Sequence, residues 1–268
     1  MIIGICGLGF VGGAIYAFMN EERNADIIDE IVVYDKYKQI NDLQALLKAN
    51  IIFICIPTPY DEIKKTYNMD EIDNTLFSLD ELNYRGIILI KSTVLPSYCE
   101  DINNIYAKLN IMHNPEFLSA STAVKDFIEQ KHIIIGYTLY SRDAVSIIET
   151  FYRLLFPDAL ISINTSSAVA ITKLACNSFY ATKVQFFTEL FLLCERTNIN
   201  YNEVKYLMLN NNWINPMHTE VPGRDGHLSF GGACLPKDIN ALNQYMALNN
   251  TSNAVLDAVI VERNSMRE

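Results

Sequence analysis

The fold is decided by residues 2–12, which read IIGICGLGFVG. The apolar run from Ile2 to Cys6 predicts a buried strand, and the glycines that follow predict a tight turn into a helix. A second apolar run, Ile31 to Tyr34, ends in Asp35, which lies 23 residues after Gly12. Strand, glycine turn, helix, strand and acid together form the dinucleotide-binding fingerprint in its required context.

Each glycine of this turn has a separate physical role. Gly7 makes the tight turn, Gly9 lets a pyrophosphate approach the backbone, and Gly12 lets the helix pack closely on the strand. A helical stretch is predicted at 13–19, and its N-terminus faces the phosphates. We therefore predict that Gly7, Gly9, Phe10, Val11 and Gly12 bind the cofactor. The alternative is a glycine-rich turn in another kind of α/β protein.

The acidic residue decides which dinucleotide fits. Asp35 is placed to accept hydrogen bonds from both ribose hydroxyls, and its carboxylate repels a 2′-phosphate. This predicts NAD rather than NADP. Lys36 and Lys38 follow closely and weaken that preference.

Strands and helices alternate through the rest of the first half, which predicts an α/β fold with a Rossmann-like, doubly wound, mostly parallel sheet. The predicted further strands are 51–56, 87–91, 110–113 and 133–136, and the predicted helices are 43–48, 97–108 and 142–155. In such sheets ligands bind beyond the carboxyl ends of the strands. Those ends carry unusual sequences, at 57–59 (PTP), 91–93 (KST) and 113–118 (HNPEFL). Each could be ordinary turn chemistry, but three on one rim favour a site.

The second half is predicted to be helical. Residues 166–196 contain no Pro or Gly and are apolar at helical spacing, so we predict one long helix that supplies a shared core or a dimer seam. Shorter helices are predicted at 201–209, 236–248 and 254–266, with a loop at 210–230. The predicted domains are a nucleotide-binding domain, 1–163, and a smaller all-helical domain, 164–268, which carries a reactive cysteine and forms a homodimer.

The stretch 231–238 reads GGACLPKD and carries the strongest signal for chemistry. Pro236 suits the first turn of a helix, so Cys234 is predicted at its N-terminus. A helix N-terminus with Lys237 beside it favours the thiolate, which is the nucleophilic form. The alternative is a buried, inert cysteine in a glycine turn.

Composition narrows the function classes. A formal charge of −10 with no basic run argues against a nucleic-acid surface. The six cysteines are scattered without a CxxC pair, so there is no zinc signature and no metal is predicted. Scattered, unpaired cysteines are typical of the reduced, cytoplasmic compartment. The apolar N-terminus lacks a basic region, and no apolar run reaches about 18 residues, so we expect neither a signal peptide nor a membrane partner.

The motifs together resemble the UDP-glucose/GDP-mannose dehydrogenase family, and most closely its members that oxidise UDP-glucose. The matching segments stand in family order over nearly the whole chain: GLGFVG, IPTP, the loop through 67–70, IKSTVLP, NPEFL, KLACNSF and FGGACLPKD. The resemblance implies a four-electron oxidation of a nucleotide sugar's primary alcohol to a carboxylate with two NAD⁺. A nucleotide-sugar substrate and a homodimer are the implied partners.

The resemblance also implies site residues. Cys234 would form a thiohemiacetal and then a thioester, while Lys173 and Asn177 stabilise charge on the sugar oxygen. Asp238 would organise the thiol, and Glu116 with Thr93 would position or deprotonate the hydrolytic water. The remaining implied contacts are to the cofactor from Thr58, Thr93 and Lys237, and to the substrate from Glu116, Phe117, Leu118, Lys173, Asn177 and Gly231.

The sequence departs from the family pattern at several places. Ala120 stands where a second glutamate is usual, Ala170 stands where the long helix usually carries an acid, and an arginine expected around 211–214 is absent. The family also has a third domain that holds much of the UDP, and helix 254–266 resembles the one that leads into it. A separate chain would then supply that UDP-binding domain.

Two other hypotheses remain open. A catalytically impaired NAD-binding or regulatory member of the family would keep the fold and lose turnover, and Ala120 favours that interpretation. A β-hydroxyacid dehydrogenase also pairs a Rossmann domain with a helix carrying KxxxN. That chemistry needs no cysteine, so Cys234 argues against it.

Overall fold

The computed structural model describes residues 1–267 and divides the chain into two compact units. The first unit contains residues 1–59 and 67–173, and the second contains residues 60–66 and the chain from 174 onward. The division at 173 falls inside a continuous helix, Ser166–Thr197. The predicted domain boundary, between residues 163 and 164, marks the change from α/β to helical sequence rather than the division into compact units, and it stays a prediction.

The first unit is built on a seven-stranded sheet in the order β2-β1-β3-β6-β7-β8-β9. Its strands are β1 Ile2–Cys6, β2 Glu30–Tyr34, β3 Ile51–Ile54, β6 Ile87–Ile90, β7 Asn110–His113, β8 His132–Tyr137 and β9 Leu160–Thr165. Neighbouring strands run parallel except β7 and β8, which are antiparallel. The short strands β4 Tyr60–Asp61 and β5 Thr66–Tyr67 form a separate two-stranded sheet. The predicted doubly wound, mostly parallel sheet is confirmed.

Helices of the first unit connect successive strands. They are α1 Phe10–Met19, α2 Asp70–Glu81, α3 Tyr98–Ile105, α4 Ala123–Ile128 and α5 Val145–Leu155, with short 3₁₀ helices at Glu22–Asn24, Leu43–Lys48 and Arg142–Ala144. The strands β3 and β6 are buried on both faces, which explains their unbroken apolar sequences. Alternate residues contribute to two cores: Phe53 and Leu89 pack in one, and Ile54 and Ile90 pack in the other.

The second unit is helical. It contains the greater part of α6 Ser166–Thr197, followed by α7 Tyr201–Leu209, α8 Leu235–Leu248 and α9 Ala254–Arg267. One small core joins Ala181 on α6 to Ile239 on α8 and Val259 on α9, and Phe230 of the preceding loop completes it. The predicted helices and the predicted loop at 210–230 are present. None of the helices within residues 1–267 is long and apolar enough to cross a membrane.

Several elements were not predicted from the sequence, among them the short strands β4 and β5, the 3₁₀ helix at 22–24, and the three elements that follow. Helix α2 buries only one narrow stripe and is otherwise acidic and polar, so its periodicity is weak. Helix α4 is a single short segment of six residues. The strand β9 lies at the sheet edge and has no buried residue, so it lacks the apolar run that marks its neighbours.

Candidate functional site

The glycine turn after β1 has the backbone that the sequence predicts. Gly7 has a φ of +92°, a left-handed conformation that favours glycine. A Cβ added at Gly12 would lie 2.0 Å from the carbonyl oxygen of Gly7, so helix α1 can pack this closely only with glycine there. Gly9 is the N-cap of α1, and a Cβ added there would meet nothing within 4 Å. Open space therefore lies above the N-terminus of α1, where Phe10 and Val11 begin the helix.

Asp35 follows β2 directly and is held against the glycine turn. Its carboxylate accepts hydrogen bonds from the backbone N–H groups of Leu8 (2.7 Å), Lys38 (2.9 Å) and Tyr37 (3.0 Å). Burial by itself raises the pKa of the Asp35 carboxyl, but these hydrogen bonds outweigh it and lower the pKa below its ordinary value. The carboxylate is consequently ionised and fixed in place at neutral pH.

These features fit a dinucleotide. The helix N-terminus offers backbone N–H groups to a pyrophosphate, the open face of Gly9 leaves room for it, and the fixed carboxylate of Asp35 suits ribose hydroxyls. A groove of about 620 Å³ continues from Gly9 and Phe10 and is lined on its other side by residues 120–125. Ala120 is among them, so the position of the family's usual second glutamate presents a methyl group to this groove.

The two lysines after Asp35 are both engaged. The ammonium of Lys36 forms an ion pair with Glu71 of α2 at 2.9 Å. The ammonium of Lys38 donates to the carbonyl of Leu8 at 2.6 Å, inside the glycine turn. Glu71 thus pairs with the cation that directly follows Asp35, an interaction that was not predicted from the sequence.

Polar residues at the carboxyl ends of β3 and β6 are brought together as predicted. The hydroxyl of Thr58 donates to the backbone carbonyl of Thr93 at 2.8 Å, and both residues are buried. Ser92 donates from its hydroxyl to the carbonyl of Ile56 at 2.5 Å. These side-chain bonds tie the two strand ends to each other and fix the backbone at Thr93.

Glu116 and Lys173 form a buried ion pair within the first unit. The Nζ of Lys173 lies 3.4 Å from Oε1 of Glu116 and 5.0 Å from the ring centroid of Phe117. The other carboxylate oxygen, Oε2, accepts the backbone N–H of Leu118 at 2.5 Å. Both charged side chains are less than a tenth exposed. Lys173 is thus a buried, paired cation rather than a solvated charge.

A buried polar network lies beside this pair and was not predicted. The Nζ of Lys91 donates to Oδ1 of Asn114 at 3.0 Å, the hydroxyl of Tyr152 donates to the same oxygen, and Asn114 donates to the carbonyl of Ile134. Burial lowers the pKa of Lys91 to about 8 and that of the adjacent His113 to about 3. The signals in the sequence were the two unusual strand ends, 91–93 and 113–118, which contain Lys91, His113 and Asn114.

In the second unit, Cys234 lies where the sequence places it. It is the N-cap residue of α8, Pro236 occupies the first turn, and the thiol is partly exposed. Gly232, two residues earlier, has a φ of +77°. The backbone N–H of Asp238 donates to the carbonyl of Cys234 at 3.0 Å, which closes the first turn. The cysteine thus stands at the positive end of the helix dipole.

Asp238 is fully buried and joins two other predicted residues. Its Oδ2 accepts from Nδ2 of Asn177 at 2.5 Å, and its Oδ1 lies 2.5 Å from the Nζ of Lys237. Asn177 is buried on α6, four residues after Lys173 and therefore on the same helix face. Ala170 on this helix packs in an apolar cluster of the first unit, so no acid is presented there.

Gly231 is the remaining residue of the predicted substrate contacts. Gly231 is closely covered: a Cβ there would lie 2.2 Å from Nη1 of Arg267. No group of three or more His, Cys, Asp or Glu side chains within residues 1–267 is arranged to hold a metal ion. No disulfide joins the six cysteines of the part described.

The chain is similar to several known proteins. It is 28% identical to a protein of Rickettsia typhi named UDP-glucose 6-dehydrogenase, over 94% of this chain and 62% of that protein. A UDP-glucose dehydrogenase structure from Pyrobaculum islandicum superposes with a TM-score of 0.83 at 21% identity, covering 98% of this chain and 68% of that one. A 3-hydroxyisobutyrate dehydrogenase from Mycobacterium tuberculosis gives a TM-score of 0.73 at 13% identity and covers 97% and 91%. The chain therefore spans less than two thirds of the Rickettsia typhi protein's length.

The fold and the sites define a class of protein with an NAD-binding α/β unit followed by a helical unit that carries a cysteine at a helix N-terminus. The chain belongs to the UDP-glucose/GDP-mannose dehydrogenase family. Residues 19–155 match its NAD binding domain, and residues 167–265 match its central domain. The glycine turn precedes the first matched segment, so its assignment rests on the geometry described above. The resemblance drawn from the sequence motifs is confirmed.

Proposed function

We propose that the chain catalyses the NAD-dependent oxidation of the primary alcohol of a nucleotide sugar to a carboxylate, with UDP-glucose as the first candidate. The observation that carries the proposal is Cys234 at the N-terminus of α8, one helical turn before the buried Asp238 that binds Asn177 and Lys237. Family membership supports the same reaction class.

The cofactor would be held by the glycine turn and Asp35. Gly7, Gly9 and Gly12 give the backbone its close approach, and the carboxylate of Asp35 accepts the ribose hydroxyls. NAD⁺, when bound, would supply the hydride acceptor for both oxidation steps. Thr58, Thr93 and Lys237 are further proposed contacts to the cofactor.

The cysteine makes the second oxidation possible. Loss of a hydride and a proton from the alcohol gives an aldehyde, which has no further hydride to give without an adduct on the same carbon. The thiolate of Cys234 adds to that carbon, and the aldehyde oxygen takes up a proton, forming a thiohemiacetal. Loss of the second hydride and of the hydroxyl proton gives a thioester. Water then displaces the thiol and releases the carboxylate.

Charge in these steps would be stabilised by buried polar groups. The ammonium of Lys173 and the amide of Asn177 are proposed to stabilise the negative oxygen that develops on the sugar carbon. Their low exposure makes such interactions stronger than in water. Glu116, held by Lys173 and by the N–H of Leu118, is proposed to position or deprotonate the hydrolytic water together with Thr93.

Sugar contacts are proposed from residues 116–118 and Gly231. These proposed contacts do not by themselves specify the base or the sugar of the substrate. UDP-glucose is favoured because proteins similar to this chain include those named for it. GDP- and dTDP-sugars are therefore part of the test.

The test measures NADH formation on the purified chain with UDP-, GDP- and dTDP-sugars and with 3-hydroxyisobutyrate. We expect two NADH for each nucleotide sugar consumed. The Cys234→Ser variant should bind NAD⁺ and fold normally but form no acid, because serine gives no thioester of comparable lability. Full activity in that variant would make the cysteine structural.

Other outcomes of the same assay favour other functions. One NADH per molecule, from a hydroxy acid alone, would instead indicate a β-hydroxyacid dehydrogenase, whose fold covers this chain almost completely. NAD⁺ binding without turnover on any substrate would favour a regulatory protein.

We also propose that the chain forms a dimer through α6. Phe179, Phe186 and Leu193 recur at a spacing of seven on this helix, and each side chain is more than half exposed. A stripe of large apolar side chains on one helix face is the surface that a second copy of the same helix would cover.

Assembly is tested by light scattering at micromolar concentration. The Phe186→Glu variant should lower the measured mass to that of a monomer, because a buried carboxylate at the seam would be unpaired. Leu207→Glu is the control, since Leu207 is also a large apolar residue and more than half exposed but lies on α7. A wild-type chain that is already monomeric would refute the dimer.

A further inference from the structure

The loop that leads into Cys234 is held by two arginines of helix α9. Arg267 donates from Nε to the carbonyl of Leu228 at 2.7 Å and from Nη2 to the carbonyl of Ser229 at 2.9 Å. Arg263 donates from Nε to the carbonyl of Phe230 at 3.3 Å, and its guanidinium lies over the Phe230 ring. Three successive backbone carbonyls are thus bound by two guanidinium groups.

The same loop is also held from α6. The backbone N–H of Ser229 donates to the hydroxyl of Thr188 at 3.2 Å, and the hydroxyl of Ser229 donates to Oε1 of Gln185 at 2.6 Å. Ser229 is buried and has a φ of +59°, a left-handed conformation that serine rarely adopts. Strained residues of this kind persist only where surrounding groups over-determine them, and they concentrate at functional sites.

Arg267 also contacts Asp225, at the start of the loop, and Gly231, directly after Phe230. Its Nη1 forms an ion pair with Asp225 at 2.8 Å, and that bond, the largest cause, lowers the pKa of Asp225 to about 2. The same Nη1 lies so close to Gly231 that an added Cβ would be 2.2 Å away. One guanidinium therefore connects Asp225, the carbonyls of Leu228 and Ser229, and the glycine that opens the turn to Cys234.

We propose that Arg267, supported by Arg263, is a positioning residue that fixes the Gly231–Cys234 turn and so places the thiol at the N-terminus of α8. We call the contacts of Arg267 and Arg263 with residues 225–231 the arginine clamp. Gly231 is part of it, because only a residue without a side chain leaves room for the guanidinium. The proposal rests on the proposed role of Cys234 as nucleophile. Lysine at position 267 would keep the charge but could not donate to two carbonyls and a carboxylate in a fixed fork.

The first test measures the loop and the thiol without substrate. Hydrogen exchange of peptides covering 224–234 should quicken at least about tenfold in Arg267→Ala, with exchange elsewhere unchanged, because opening now needs fewer broken contacts. The pH of half-maximal alkylation of Cys234 by iodoacetamide should rise, because the thiol leaves its fixed place at the helix N-terminus. Cys176, also partly exposed, is the reference thiol in the same sample. Arg153→Ala removes an exposed arginine of α5 and is the matched control.

The second test is a double-mutant cycle. Gly231→Ala should reproduce the effects of Arg267→Ala, and the double variant should be no worse than either single one, since the new methyl group has no guanidinium to displace. In turnover assays kcat should fall by about 10²-fold while NAD⁺ affinity stays unchanged, with Arg267→Lys in between.

Each outcome bears on one proposal. Unchanged exchange and an unchanged alkylation profile in Arg267→Ala would overturn the clamp, whatever the activity. Additive effects of the two substitutions would also overturn it and would leave Gly231 as a direct substrate contact. A wild-type chain without turnover would refute the proposed function, while the exchange and alkylation results would still decide whether Arg267 positions the thiol.

Discussion

Alanine substitutions at Gly9, Gly12 and Gly13 should have three different effects, although the three glycines lie within five residues. At Gly12 the added Cβ would lie 2.0 Å from the carbonyl oxygen of Gly7, whereas real Cβ contacts essentially never fall below 3.0 Å. Helix α1 must therefore move by about 1 Å, and overpacking of this kind costs about 1–3 kcal/mol. For a unit of this size the loss lowers Tm by roughly 2–12 °C.

Gly9 and Gly13 each have nothing within 4 Å of an added Cβ. Gly13→Ala is the control: it sits inside α1, and the better helix propensity of alanine should stabilise the chain by about 0.5–1 kcal/mol. Gly9→Ala should leave the Tm of the free chain unchanged. It should weaken NAD⁺ binding about 5- to 150-fold, because a methyl group would occupy the space proposed for the pyrophosphate and again cost about 1–3 kcal/mol.

The assay pairs thermal unfolding of the free chain with calorimetric titration of NAD⁺. Gly12→Ala should lose stability, Gly9→Ala should lose affinity alone, and Gly13→Ala should lose no stability. Wild-type affinity in Gly9→Ala would refute the placement of the pyrophosphate above Gly9. Wild-type stability in Gly12→Ala would refute the argument from its contact with the carbonyl of Gly7.

Two further predictions concern charge. Burial lowers the pKa of His113 to about 3, so between pH 6.5 and about 3 the unfolded chain binds a proton at His113 that the folded chain does not. The free energy of unfolding should fall by about 1.4 kcal/mol per pH unit within that window, and urea titrations should show a shallower slope in His113→Gln. Glu71→Gln releases Lys36 and should lower the ratio of the Kd for NADP⁺ to the Kd for NAD⁺ about 2- to 5-fold, as measured by calorimetry. Glu30→Gln, which breaks a similar exposed ion pair with Lys48, is the control and should leave this ratio unchanged.

The fold was readable from the sequence because its strands are buried on both faces. The unbroken apolar runs of β3 and β6 need no periodicity to be recognised. The strand β9 could not be recognised in this way, because an exposed edge strand has no such requirement on its side chains. Helix α2 likewise needs only a narrow apolar stripe, so most of its positions are free to be acidic.

The glycine turn after β1 was predicted in most detail, because its backbone constrains the residue type directly. A φ of +92° at Gly7 and a 2.0 Å approach at Gly12 leave glycine as the suitable residue, so the sequence records the geometry. The position of Cys234 at a helix N-terminus was likewise predicted from the local sequence, since Pro236 marks the start of that helix.

The arginine clamp could not be predicted, because its parts are distant in sequence and each has an ordinary local explanation. Arg267 is 42 residues from Asp225, and basic residues are common in the last turn of a helix. Ser229 gives no sign of its left-handed backbone, because serine is an ordinary loop residue. Only the tertiary structure shows that three carbonyls, a carboxylate and a glycine share these two guanidinium groups. A residue type can be predicted from sequence where the local backbone requires it. At Gly231 the group that leaves no room for a side chain is Arg267 of helix α9, which is distant in sequence.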